Sequence, residues 1–236
     1  MKFHAPLIQG QLIKRYKRFM ADVTLANGDV VTAHCANSGS MISVDEPGAE
    51  VWLSPAKNPD RKLKFTWEMI QIKRSLVGIN TQHPNTLVAE AIVAGKVPSL
   101  TGFDNLRREV KYGNNSRIDV LLEMADGRNC YVEVKNVTMR RDLTKGAPVE
   151  FPDGITARGA KHLAELSDMV KEGHRAVMFY LLQRGDADSM AIARDIDPTY
   201  GEALDKARKS GVEVVAFNCK LTPKEINVAK PVEFLG

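Results

Sequence analysis

The stretch RIDVLLEMADGRNCYVEVKNV, residues 117–137, decides how this chain folds. Side chains alternate between the two faces of a strand. Val120, Leu122, Val132 and Val134 therefore fall on one side of a hairpin, and Asp119, Glu133 and Lys135 on the other. Glu133 and Lys135 share a face in any strand, but the position of Asp119 depends on the turn at Asp126-Gly127. A strict two-residue loop pairs position 119 with 134 and sends Asp119 to the face opposite Glu133. A three-residue loop, with Gly127 at positive φ, shifts the register by one and sets Asp119 across from Glu133 or Lys135. Only the second register buries all four apolar residues together, so the apolar alternation selects it.

Two carboxylates converging with a lysine suit divalent-metal chemistry on phosphodiesters. Hard oxygen ligands from Asp119 and Glu133 suit Mg²⁺ or Mn²⁺, and Lys135 would orient or activate the attacking water. The alternative is a solvated sheet face that happens to carry an Asp, a Glu and a Lys.

Outward from the hairpin the chain has two textures. From Pro84 onward, NTLVAEAIVAG has a cap-like Asn85, apolar helical spacing and a terminal Gly95. LRREVKY precedes the hairpin as a third strand. TARGAKHLAELSDMVKEG follows as an amphipathic helix opened by Thr156 and closed by Gly173, with Leu163, Leu166, Met169 and Val170 on one face. The strand RAVMFYLLQ, the helix PTYGEALDKARKSG and the strand VEVVAFNCKL complete an α/β domain over residues 84–236, its later strands parallel.

Residues 1–83 read as strands throughout. Asn27-Gly28 marks a hairpin, and further strands are expected at 7–17, in EVWLSP and along LKFTWEMIQIKRSLVGI. Short strands without helices suggest a small closed barrel, an OB-fold or an SH3-like barrel. The fold class is accordingly α/β, α+β overall: a barrel followed by an α/β domain.

Charge follows the same division. Residues 1–83 hold 11 Lys+Arg against 7 Asp+Glu, and residues 84–236 hold 22 of each. All of the net charge of +4 lies in the first third, which favours a polyanionic partner such as nucleic acid, although an ordinary solvated face gives the same count. No apolar run approaches the roughly 20 residues of a membrane span. MKFHAPLIQG has no signal-like apolar core, so no membrane partner and a cytoplasmic location are expected. Cys35, Cys130 and Cys219 are dispersed, which argues for buried thiols rather than disulfides or a zinc finger. With no Gly-rich nucleotide loop and no G-x-S-x-G elbow, a sugar-transforming enzyme has little support.

The order helix, three strands, helix, with Asp119 and then Glu133-Val134-Lys135, resembles the PD-(D/E)xK nuclease core, though Ile118 stands where that signature has proline. More specifically, HCANSGSM, EVKYGNNSRIDVLL, YVEVKNVT and FPDGITARGAKHLAEL resemble the sugar fermentation stimulation protein A family of bacteria, over essentially the full chain. The resemblance implies an N-terminal OB-fold, a nuclease-like C-terminal domain and DNA binding without marked sequence preference. It also implies a link to sugar, notably maltose, metabolism, and it brings no established catalytic activity. Two readings follow: a metal-dependent endonuclease, or a non-catalytic DNA-binding regulator. Nucleases of this core often pair to cut two strands, which leaves a homodimer open. The segment MRRDLTKGAPVEFPDG is longer than the family's usual connection.

Supporting residues each have two readings. Glu109 or Glu90 would supply the additional carboxylate such nucleases bring from neighbouring elements. Glu109 is preferred because it lies in EVKYG, against a plain salt bridge with Arg107 or Lys111. Arg158 and Lys161 lie at the start of a helix, where backbone N–H groups favour phosphate, while His162 reads as a capping or packing residue. KRYKR, residues 14–18, interleaves one ring with four cations. Alternation puts Lys14, Tyr16 and Arg18 on one DNA-facing side, or on a charged, protected edge. Asn37 and Gly39 form a tight loop that would approach a phosphate or serve only as a turn. Trp52 and Trp67 read as core.

Overall fold

The computed structural model describes residues 1–113 and 115–236. The first part is a barrel of β1 (Ile8–Tyr16), β2 (Met20–Leu25), β3 (Val30–Cys35), β4 (Glu50–Pro55) and β5 (Phe65–Ile72), with β6 (Ser75–Gly78) paired to β5. The sheet runs β3-β2-β1-β4-β5-β6, and parallel pairing of Ala33–Cys35 with Phe65–Trp67 closes it. Closure removes the free edges that a five-stranded sheet would expose. Leu12, Val23, Val51, Leu53, Trp67 and Ile70 fill the interior.

The alternation expected through KRYKR ends early. β1 stops at Tyr16, and Lys17 and Arg18 turn through positive φ of 48° and 61°. Arg18 therefore leaves the face it was expected to share with Lys14 and Tyr16.

The second part is a six-stranded sheet in the order β14-β13-β11-β9-β8-β7. It comprises β7 (Asn105–Tyr112), β8 (Ser116–Glu123), β9 (Cys130–Val137), β11 (Arg175–Leu182), β13 (Glu213–Leu221) and β14 (Ile226–Pro231). β9, β11 and β13 are mutually parallel, and the remaining pairs are antiparallel. Helices cover both faces. α1 (Pro84–Val93) packs on the side of Val120, Leu122, Val132 and Val134. α2 (Ala157–Lys171) and α3 (Pro198–Lys209) pack on the side of Tyr112, Leu121 and Tyr180.

A three-stranded parallel sheet of β10 (Val149–Phe151), β12 (Ser189–Ile192) and β15 (Glu233–Phe234) was not legible in the sequence. The long connection after β9 thus contributes a strand instead of forming a free loop. The first residues, counted with the barrel by sequence, also reach the second part: the Met1 amino group lies 2.8 Å from Glu90, and the Phe3 N–H donates to Lys224 O at 3.2 Å.

Among the described residues no helix is long and apolar enough to cross a membrane. The three cysteines are buried and free, and both tryptophans lie in the core.

Thr156 caps α2 as expected, its hydroxyl accepting the Gly159 N–H at 3.0 Å. Asp197 does the same for α3 and more: one oxygen accepts Tyr200 N–H at 2.9 Å and the other accepts Thr156 N–H at 2.7 Å. A single buried carboxylate thereby fixes the starts of both helices. Asp197→Ala is expected to destabilise the protein by about 2 kcal/mol. Urea unfolding checks this, and a loss below about 0.5 kcal/mol would show that water replaces the carboxylate without penalty.

Candidate functional site

β8 and β9 place the acidic residues. Their ladder runs Leu122↔Cys130, Leu121↔Tyr131, Val120↔Val132, which directs position 119 toward Glu133, with Gly127 in the turn at φ 77°. The connecting loop is longer than three residues, but it keeps the parity that the apolar alternation selects. The ladder itself stops at Val120. Asp119 Oδ2 instead accepts the Val134 N–H at 2.7 Å, so the carboxylate occupies a place a backbone carbonyl would otherwise take. On the other side of β8 the pairing with β7 skips Glu109, whose backbone turns to φ 54°. Asp119 therefore sits where both neighbouring ladders open. Ile118 and Val120, two apart, pack into cores on opposite sides of the sheet, so the strand's alternation slips at Asp119.

Glu133 and Lys135 face α2. Glu133 is only 2% exposed, which rules out the solvated-face alternative for this residue: in a sheet covered on both sides a polar face is not a wet one. Its Oε1 accepts from Lys135 Nζ at 2.7 Å and also meets His162 Nδ1. Arg158 Nε–H donates to His162 Nε2 at 3.3 Å, which assigns the ring proton to Nδ1, pointing at Glu133. His162 thus packs, as expected, but what it packs against is the acidic pair. Glu133 Oε2 is buried with no hydrogen-bond partner among the described residues.

The two carboxyls titrate in opposite directions. Burial, with the Glu133 charge second, pushes Asp119 up to about 6 against the Val134 N–H, Lys135 and Asn85. Burial also pulls Glu133 upward, but the His162 hydrogen bond and Lys135 outweigh it and hold Glu133 below its usual range. Of two neighbouring carboxyls, one is thus pushed up by burial and its neighbour's charge while the other is held down by its donors.

Asn85 is not the cap of α1: His83 holds that position and Pro84 follows it. Asn85 instead turns to the sheet, where Nδ2 donates to Asp119 Oδ1 at 2.7 Å and to Glu109 Oε1 at 3.0 Å. Glu109 thereby joins the Asp119 group, at its exposed rim, while Arg107 pairs with Glu123. Glu90 lies apart, against the N-terminus.

The other expected contacts are distributed differently. Arg158 and Lys161 are exposed and reach inward, Lys161 to Ser116 at 3.2 Å and to Glu165 at 3.5 Å. Lys14 lies over the Tyr16 ring at 5.4 Å, on the barrel surface. Asn37 is buried and both ends of its amide are engaged, Nδ2 donating to Ile79 O and Oδ1 accepting Gly39 N–H. Its side chain makes the expected tight turn with Gly39, and Asn37 itself lines the cleft beside it. Arg15, which sequence reasoning passed over, holds that loop through Asn37 O at 3.0 Å and Gly39 O at 2.8 Å. The loop faces the end of β9 across a polar cleft of about 250 Å³ lined by Asn37, Gly39, Thr81, Asn136, Thr138 and Asp153.

Among the described residues no three His, Cys, Asp or Glu side chains converge closely enough to hold a metal ion by themselves. Hard oxygens from Asp119 and the unpartnered Glu133 Oε2 nevertheless suit Mg²⁺, which keeps several waters and commonly takes only one or two carboxylates from a protein.

Comparison with known proteins agrees with this architecture. Residues 13–79 match the model of the SfsA N-terminal OB domain, and residues 82–225 match that of the sugar fermentation stimulation protein RE domain. The homolog from Rhodospirillum rubrum is 57% identical over 230 residues, covering 94% of each chain. That from Paramagnetospirillum magneticum is 56% identical, covering 98% of this chain and 97% of its own. The structure of Pyrococcus furiosus SfsA in complex with Ca²⁺ superposes with a TM-score of 0.86 at 23% identity, covering 99% of this chain and 97% of that one. A barrel, an α/β domain and two family models in the same order leave one assignment: the chain belongs to the SfsA, or sugar fermentation stimulation protein, family.

Proposed function

We propose that this protein binds DNA without marked sequence preference and cleaves it in a reaction that needs Mg²⁺ or Mn²⁺, with Asp119 and Glu133 as ligands and Lys135 positioning the attacking water. The observation that carries the reading is the buried, unpartnered Glu133 Oε2 beside a carboxyl held near pH 6. A bound divalent cation would neutralise charge developing on the phosphodiester. The chain's own residues do the rest. His162 and Lys135 fix one Glu133 oxygen and leave the other available, Asn85 and the Val134 N–H orient Asp119, and Glu109 stands at the rim. Lys135, 16% exposed, is the cation of this group that can still reach solvent and hold a water. Of the solved relatives, the Pyrococcus furiosus protein was obtained with Ca²⁺, a hard cation of the class this donor set favours.

DNA is the proposed substrate because the barrel carries the excess charge and the Arg15-held loop borders the cleft at the end of β9. Lys14, Tyr16, Arg18, Arg158 and Lys161 would contact the backbone, and the affinity should fall with a slope of roughly 0.9 per neutralised phosphate in log K against log salt. Supercoiled plasmid and single-stranded DNA incubated with the wild type and Asp119→Ala, in Mg²⁺, Mn²⁺ or EDTA, test the reading while binding is followed in parallel. Metal-dependent cleavage that the variant loses, by on the order of 10³-fold or more, with binding retained, is the expected result. Equal, salt-sensitive binding with no cleavage by either protein would leave a non-catalytic DNA-binding regulator, as the sugar and maltose link suggests.

A further inference from the structure

Two buried polar groups that the proposed reaction leaves unused, Glu165 and Tyr112, lie beside it. Arg158, Lys161, His162 and Glu165 recur at i, i+3, i+4 and i+7, one stripe of α2 turned to the sheet. Glu165 is 7% exposed, and neither of its oxygens has a hydrogen-bond partner among the described residues. Lys161 Nζ stands 3.5 Å from Oε1, at ion-pair range. Tyr112, at the end of β7, is 8% exposed and its hydroxyl is likewise without a partner. Gly113 itself lies directly on the acid, since a Cβ there would stand 3.1 Å from Glu165 Oε1.

These orphans belong together. Burial raises the Tyr112 hydroxyl far above its usual range, and the charges of Glu133, Glu165 and Asp119 raise it further, so all three carboxyls act on one phenol. Buried polar atoms are nearly always hydrogen-bonded, so carboxylate oxygens and a hydroxyl buried without a hydrogen-bond partner call for an explanation. Buried oxygens of Glu133, Glu165 and Tyr112, without hydrogen-bond partners among the described residues, are groups that a hydrated cation would satisfy.

Resting on the divalent-cation reading above, we propose that Glu165 is the third acidic group of that site, holding with the Tyr112 hydroxyl the water shell of the cation that Asp119 and Glu133 bind. Contact through water agrees with the absence, among the described residues, of three acidic side chains converging for direct ligation. The role is one of positioning. Removing such outer partners weakens metal binding by about 10–100-fold.

The test is Mn²⁺ affinity of the full-length protein, by calorimetry and by the paramagnetic resonance signal of free Mn²⁺, with no DNA present. Glu165→Gln is expected to weaken binding tenfold or more and Tyr112→Phe by less. Glu172→Gln, an exposed acid at the end of the same helix, should leave it unchanged. Melting in EDTA verifies folding, and Glu165→Asp, which withdraws the carboxylate by one methylene, replaces Glu165→Gln if that variant does not fold. Loss of binding in Asp119→Ala with full affinity in Glu165→Gln would overturn this inference alone. Equal weakening in Glu165→Gln and Glu172→Gln would reduce it to long-range charge and overturn it. No Mn²⁺ binding by the wild type would remove both this inference and the metal-dependent function.

Discussion

Replacing Arg184 by methionine is expected to cost about 3 kcal/mol of stability, because it removes the fully buried partner of an ion pair and leaves Asp186 with Arg140 alone. Arg184 is fully buried. Its Nε and Nη2 form a fork to Asp186 at 2.6 and 2.8 Å, and Nη1 donates to Thr138 O, just beyond β9, at 2.7 Å. Its backbone bridges to Val77 of β6, so the same residue joins barrel to sheet. Burial opposes ionisation of Asp186, but Arg184 and then Arg140 outweigh it and hold the carboxyl below its usual range. A depressed carboxyl contributes stability that is present above its unfolded pKa of roughly 3.9 and is lost as pH falls through the folded value. The deficit of the variant should therefore be full at neutral pH and shrink in acid. Urea midpoints across pH 3–7 measure it, and a change under 1 kcal/mol at pH 7 would mean that Arg140, 3.2 Å from Asp186, suffices alone.

Asp119→Asn is expected to act in the opposite direction on stability while abolishing the proposed cleavage. Asp119 titrates at about 6 in the metal-free fold, against roughly 3.9 when unfolded, so the folded state binds its proton more tightly. For a raised carboxyl, stability is greatest below the unfolded value, falls as pH rises from about 4 to about 6, and stays lowered above. Asparagine cannot ionise and escapes that loss. The variant should be more stable than wild type at pH 8 by on the order of 1–2 kcal/mol, less than the full linkage because the charged hydrogen bond to the Val134 N–H is weakened. Near pH 4 the difference should vanish. Chemical denaturation in EDTA at the two pH values decides it; equal stability at pH 8 would mean that Lys135 already offsets the charge. The same proton must leave when a cation binds, so divalent-metal affinity should weaken as pH drops below about 6.

Much of this molecule is written in local pattern. Alternation fixed β9 at Cys130–Val137 and the register parity that turns Asp119 toward Glu133, because a slip of one residue would have moved four apolar side chains off the face they share with α1. Thr156 and Gly173 bracket α2 for reasons of backbone chemistry alone, and the basic bias of residues 1–83 is a property of composition. What each polar residue meets was not written there. Lys14, Tyr16 and Arg18 alternate on paper, but two left-handed residues end the strand before Arg18. Asn85 has the look of a cap, yet the fold presents it to Asp119 and Glu109, 34 and 24 residues away in sequence. Glu165 lies near the apolar face of an amphipathic helix, and only the packing of α2 on the sheet buries its oxygens against Gly113 without a hydrogen-bond partner among the described residues. Periodicity reports whether a side chain faces water or another element, and that information is local. Which element lies opposite, and whether its donors match, depends on chain segments far apart in sequence, so the acidic pair was legible while the residues that orient and neutralise it required the tertiary structure.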